Sequence, residues 1–291
     1  MTWFKFLDKS CNPFLGKSWL FLSVKKYRLL MIVQTLLISA CQSTQLRQPV
    51  SLPAETTVTT ANFKHAMVSK AGITTRLHVY VEGDGIPFES RFVIAQDPTP
   101  VRPLMLQLMG LDKTQSLYLG RPCYFNRSLP QLADDRCNPR IWTSARYSDE
   151  VVESMTKALR NHLVSHPARG ITLIGHSGGG TLAMLMAARM PEVDQVVTIA
   201  GNLDTDAWTR LHRYTPLKES LNPVNLSIDQ LPRHQLHIGG DKDTNIPPAL
   251  AQPVLSRLGL AMVIIPNADH NCCWINHWPQ LLHQMDAQIE Q

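Results

Sequence analysis

Apolar and polar positions alternate between residues 74 and 81, through Leu77, Val79 and Val81, and this period of two in β-branched and aromatic side chains predicts a strand. The run breaks at Glu82-Gly83-Asp84-Gly85, a sharp turn. Beyond a loop containing Asp97-Pro98-Thr99-Pro100, Pro103 opens an apolar stretch to residue 109 that predicts a helix, and residues 116–119 suit a short buried strand. From Ser148, the apolar residues Val151, Val152, Met155, Leu159 and Leu163 recur at helical spacing until Pro167 closes the pattern. Residues 170–174 form a buried-strand run, Gly175-His176-Ser177-Gly178-Gly179-Gly180 follows, and residues 181–190 are strongly helical. Further strands are predicted at 196–200, 234–238 and 262–265, with a final helix over 278–289.

Strands that alternate with helices of this length specify a mostly parallel sheet covered on both faces, because parallel neighbours need crossover connections. The fold class is therefore α/β. Removal of a leader leaves roughly 250 residues, a size that one domain can occupy. A hydrophobic fraction of 44% and a charged fraction of 18% suit a globular core and exclude a fibrous or disordered chain.

The N-terminus qualifies this picture. Basic Lys25-Lys26-Tyr27-Arg28 precedes an apolar run over residues 29–38, the layout of an export signal. That run is too short for a spanning helix, which needs ~20 apolar residues. The sequence Ile38-Ser39-Ala40-Cys41 resembles a bacterial lipobox. The resemblance implies removal of residues 1–40, acylation of Cys41 and a membrane anchor in the bacterial cell envelope. Gln42, where an inner-membrane retention signal has Asp, favours the outer membrane, facing the periplasm. An uncleaved anchor, or an ordinary signal with an incidental cysteine, is the alternative. Residues 41–61 then read as a polar tether of Ser, Thr, Gln and Pro, and residues 62–291 as the folded domain, with 120–147 and 203–232 as loop or lid insertions.

Six basic residues against Asp8 in the leader carry the whole formal charge of +5. The remainder is near neutral and gives no electrostatic reason for a nucleic-acid partner. Export places the other cysteines in an oxidising compartment. Cys123 and Cys137 bracket a polar segment and are expected to pair, whereas the adjacent Cys272 and Cys273 could form a strained bond or remain two thiols. No Cys-x-x-Cys or His-Glu-x-x-His occurs, so no metal site and no cofactor are expected.

The segment Gly175-His176-Ser177-Gly178-Gly179 matches Gly-x-Ser-x-Gly, and it stands between a buried strand and a helix, the context in which that motif lifts a serine hydroxyl above a sheet. A serine needs a base to take its proton, and the order Ser, acid, His is filled downstream. The turn Gly239-Gly240-Asp241-Lys242-Asp243-Thr244-Asn245-Ile246-Pro247 resembles the Gly-x-x-Asp-x-x-Val-Pro turn that carries the acid in many α/β-hydrolases, with Asp243 in the acid position. Asp241 could shape the turn instead of serving as the acid, and Asp204 after the 196–200 strand is a third candidate. His270 lies in the loop after the last strand and is the candidate base, while His176 is read as a packing or hydrogen-bonding neighbour of the serine. The N–H of Gly178 is the first candidate oxyanion donor. Glu82-Gly83-Asp84-Gly85 resembles the His-Gly-x-x segment of α/β-hydrolases with Glu82 replacing histidine, which maps the second donor to Asp84 or, if the turn differs, Gly85.

Together these motifs resemble the α/β-hydrolase superfamily from about residue 62 to the end, and more narrowly a group of uncharacterised bacterial lipoprotein hydrolases. The resemblance implies an α/β-hydrolase fold and a serine hydrolase acting on carboxylic esters, thioesters or amides, with a small-molecule or lipid-like acyl substrate. An acyltransferase using the same triad, or a non-catalytic envelope lipoprotein, is the alternative. Arg121, Trp142, Arg146 and Tyr147 flank the cysteine loop and are expected either to line the mouth of the site or to pin that loop by stacking.

Overall fold

A computed structural model of the chain describes residues 52–53 and 56–289. The strands in chain order are β1 (Thr57–Thr60), β2 (Lys64–Lys70), β3 (Arg76–Val81), β4 (Phe88–Ser90), β5 (Val93–Ile94), β6 (Gln115–Leu119), β7 (Gly170–His176), β8 (Gln195–Ile199), β9 (His234–Gly240) and β10 (Met262–Ile265). The helices are α1 (Leu104–Leu111), α2 (Asp149–Ser165), α3 (Gly178–Ala187), α4 (Thr205–His212), α5 (Pro248–Arg257) and α6 (Trp274–Ile289). Eight strands form one sheet in the order β1-β2-β6-β3-β7-β8-β9-β10, and β4 and β5 form a separate hairpin. The pairs β1/β2 and β2/β6 are antiparallel, and every later pair is parallel.

The centre of the sheet explains its apolar sequence. All seven residues of β7 are buried, because helices cover both faces and leave no polar side to alternate with. Helix α3 is buried along its whole length. Helix α2 is amphipathic and begins at Ser148, whose hydroxyl accepts the Val151 N–H, with Asp149 and Glu150 in its positive first turn.

Two elements at the sheet edge depart from the sequence reading. The sheet begins at Thr57, inside the segment read as tether, and β2 extends it. Lys64, His65, Ser69 and Lys70 interrupt the apolar pattern of β2, yet His65 is buried because its ring nitrogens contact Gly120 O at 2.9 Å and Ser154 Oγ at 2.7 Å. Helix α4 falls within the 203–232 stretch read as an insertion, and 120–147 carries two 3₁₀ turns, Pro130–Leu132 and Pro139–Trp142. Helix α5 was not anticipated, and α6 starts at Trp274 rather than at 278. Cys123 and Cys137 are bonded with their Cα atoms 5.5 Å apart, and Cys272 is bonded to Cys273. The export signal, Cys41 and most of the tether lie outside the described residues.

Candidate active site

Four loops converge at the C-terminal ends of parallel strands, where α/β sheets place their ligands. Ser177 follows β7, with φ 54° and ψ −122°, a backbone conformation that non-glycine residues seldom adopt and that fits the sharp strand-to-helix turn. Its N–H donates to Ile199 O at 2.9 Å, which ties the turn to β8. His270 follows β10, and its Nε2 lies 3.0 Å from Ser177 Oγ. Its Nδ1 lies 2.8 Å from Asp243 Oδ2, in the turn after β9. Asp243 is buried, and its other oxygen accepts the N–H groups of Asn245 and Ile246, each at 2.8 Å, so its carboxylate is fixed from both ends. Ser177 itself is 9% exposed, at the edge of the buried interior.

The fourth loop follows β3. Strands β3 and β7 are paired with Val81 opposite Gly175, so three residues further on Asp84 comes beside Gly178. The Gly178 N–H is the first of helix α3, among the four that have no acceptor within the helix, at the positive end of the helix dipole. Gly178 and Asp84, the two candidate oxyanion donors, are therefore neighbours at the serine turn. Glu82, in the position where the resemblance has histidine, is turned inward beneath this loop and accepts the Met105 N–H at the start of α1 at 3.2 Å. Burial raises its carboxyl to about 7, against the opposing pull of the Met105 N–H.

Residues 114–200, which include β6, β7, the serine turn and β8, match the family described as lipase (class 3). Over 118 residues the chain is 24% identical to RutD of Cronobacter sakazakii, a protein to which carbamate hydrolysis is ascribed, and the match covers 40% of this chain and 44% of RutD. The chain thus spans less than half the length of this curated relative. Among solved structures, the Pyrococcus furiosus esterase Pf2001 aligns over 81% of this chain and 91% of its own with a TM-score of 0.57 at 12% identity. A puromycin-hydrolysing peptidase of Mycobacterium tuberculosis aligns over 83% of this chain and 41% of its own with a TM-score of 0.54 at 11% identity. Sheet order, serine turn and these likenesses agree. The chain has the α/β-hydrolase fold.

Within this fold the structure separates the three candidate acids. Asp243 meets His270, whereas Asp204 caps helix α4, accepting the N–H groups of Asp206 at 3.1 Å and Ala207 at 2.9 Å. Asp241 is exposed at the turn. His176 is buried, and its Nε2–H donates to the carbonyl oxygen of His270 at 2.8 Å rather than to the serine. Arg121, Arg146 and Tyr147 are buried and all reach Asp84, and Arg121 also stacks over Tyr124 and Tyr147 at 5.1 and 5.6 Å, the stacking arrangement of the two expected. Trp142 stands apart from it, donating its indole N–H to Ala95 O at 3.0 Å. Trp274 escaped the sequence reading. Its indole N–H also donates to His270 O, at 3.2 Å, and its place four residues after the histidine at the start of α6 is the one sequence signal it offered.

Proposed function

We propose that the chain is a serine hydrolase that cleaves carboxylic esters through an acyl-enzyme, with Ser177 as nucleophile, His270 as base and Asp243 as orienting acid. The observation that carries this reading is the hydrogen-bonded series from Asp243 Oδ2 to His270, 2.8 Å, and from His270 to Ser177 Oγ, 3.0 Å. With the proton of neutral His270 on Nδ1 and donated to Asp243, Nε2 is left to accept the serine proton. Ser177 Oγ then bonds to the ester carbonyl carbon, and the carbonyl electron pair moves to oxygen. That oxyanion is received by the N–H groups of Gly178 and Asp84. As the tetrahedral adduct collapses, the C–O bond to the alcohol breaks and the alcohol takes the proton from His270 Nε2. Water, deprotonated by the same nitrogen, adds to the acyl-enzyme carbonyl, and collapse returns the proton to Ser177 and releases the acid.

An ester is favoured because the oxyanion site and base account for ester cleavage without further groups, and the Pyrococcus furiosus relative is named an esterase. The same reading takes the chain to be exported, cleaved before Cys41 and anchored by an acyl chain there, with the hydrolase facing the periplasm. Pre-steady-state hydrolysis of a p-nitrophenyl ester tests the chemistry. A burst of p-nitrophenol equal to the enzyme present, absent in Ser177→Ala, is expected. Turnover retained by purified Ser177→Ala would contradict the assignment.

A further inference from the structure

The loop that carries the second oxyanion donor is held from outside by charge. Asp84 Oδ1 accepts Arg121 Nη1 at 2.6 Å, and Oδ2 accepts Arg146 Nη1 at 2.9 Å and the Tyr147 hydroxyl at 2.6 Å. The Asp84 carbonyl accepts the Tyr124 hydroxyl at 2.9 Å. Its side chain and carbonyl are thus both committed, and among the described residues its N–H has no protein acceptor. The arginines are themselves fixed. Arg121 Nη2 donates to Arg146 O at 3.1 Å, and Arg146 Nε donates to Thr143 O at 2.7 Å. Both arginine side chains are buried, at 1% and 6% exposure.

The clamp also touches the serine turn. A Cβ on Gly178 would stand 2.2 Å from Asp84 Oδ1 and 2.4 Å from the Tyr147 hydroxyl, so the carboxylate occupies the space beside the first donor. A lone carboxylate there would oppose an oxyanion. Two guanidinium groups against one carboxylate reverse the local sign and leave one net positive charge. Burial alone would push the Asp84 carboxyl up, but Arg146, Arg121 and the Tyr147 hydroxyl outweigh it and hold it well below the usual range, so the anion persists in its clamp.

We infer that Arg121 and Arg146 are positioning residues for the tetrahedral adduct. They hold the Asp84 N–H against the Gly178 N–H and turn the electrostatic potential at that point from anionic to cationic. The inference rests on the serine-hydrolase reading and adds a requirement to it. It also gives the Cys123–Cys137 loop a functional place, because that loop lies between the two arginines in the chain.

A purely structural pair would change how much protein folds and leave the turnover of each folded site alone. The test therefore counts active sites by fluorophosphonate titration and reports kcat per counted site. Arg146→Gln is expected to lower that kcat ~100-fold, the scale of losing one oxyanion donor, with KM within a few-fold. Affinity for an alkyl boronic acid, which forms a tetrahedral adduct on the serine, should fall by a similar factor. Arg146→Lys, which restores charge without the two-pronged geometry and guards against a misfolded glutamine variant, should recover about tenfold of the loss. Unchanged kcat per counted site and unchanged boronate affinity in both variants would overturn the inference. In that case the wild type would still label and turn over. A wild type that does neither would remove the hydrolase reading itself, and the inference with it.

Discussion

His176 donates its Nε2–H to the carbonyl oxygen of His270 at 2.8 Å, so the residue before Ser177 holds the backbone of the proposed base. Trp274 donates to the same oxygen at 3.2 Å. Burial, with His270 close by, lowers the His176 pKa to about 3, and the ring remains a neutral donor across the working range. Loss of the ring in His176→Ala is expected to cost about 1–3 kcal/mol of stability and to lower kcat by about tenfold, since a displaced base loses alignment with the serine. Urea unfolding and kcat per titrated site check the two effects separately. Wild-type kcat in a folded His176→Ala protein would mean that Trp274 alone suffices.

A single methyl group probes the contact between the two loops proposed to receive the oxyanion. In Gly178→Ala the new Cβ would meet Asp84 Oδ1 at 2.2 Å and Tyr147 Oη at 2.4 Å, and one of them must move. Because Asp84 is clamped, the expected outcome is a displaced N–H donor and a loss of about 100-fold in kcat, with Ser177 and His270 intact. Steady-state ester hydrolysis by folded Gly178→Ala at half the wild-type rate or better would show that Asp84 is not a donor.

Stability should depend on pH through buried groups of opposite sign. Burial lowers the pKa of His65 to about 4, of His176 to about 3 and of His237 to about 4, against ~6.5 in an unfolded chain. Between about pH 4 and 6.5 the unfolded chain binds more protons at these positions, so stability rises with pH there and is lost on acidification. Glu82 acts in reverse. Its carboxyl, at about 7 when folded, keeps a proton that the unfolded chain releases near pH 4.5, so its contribution falls as pH rises towards 7. Glu82→Gln removes that opposing slope and should gain on the wild type, by an amount on the order of 3 kcal/mol, between pH 5 and pH 8. Urea midpoints at those two pH values decide it, and equal pH dependence in the two proteins would place the Glu82 carboxyl elsewhere.

The positions that the sequence made legible are those governed by local rules. The turn around Ser177 stands between a strand with no polar alternation and a buried helix, and those two elements place Ser177 at the C-terminal edge of the sheet. Asp243 and His270 could be named because each follows a strand at a definite place in the chain order. Asp84 could be named as a candidate donor only through the likeness of its turn to the His-Gly-x-x segment, and the pairing of Val81 with Gly175 that brings it beside Gly178 is visible only in the structure. The partners of its side chain were not assigned to it. Arg121 and Arg146 stand 37 and 62 residues away, and no periodicity links them to it. The edge strands were missed for a different reason. In β2 a buried histidine satisfied by Gly120 and Ser154 takes the place of an apolar residue, and only the tertiary contacts show that it is inside.

The Cys123–Cys137 bond closes a loop whose ends stand 14 residues apart. Replacing both cysteines by serine should cost ~3 kcal/mol, chiefly by freeing the unfolded chain. The double variant should also lower kcat, because Arg121 and Arg146 flank the loop. Thermal unfolding and kcat per titrated site measure both. Loss of stability with full turnover would separate the bond from the oxyanion clamp.

The central claim is that Ser177 is a nucleophile activated by His270. The soluble form beginning at Gln42 should be exposed to a fluorophosphonate probe beside Ser177→Ala and His270→Ala, with the adduct located by peptide mass spectrometry. A single adduct on Ser177, absent from Ser177→Ala and strongly slowed in His270→Ala, is the expected result. A folded wild-type protein that takes no label, or one labelled elsewhere and equally in all three forms, would contradict the account.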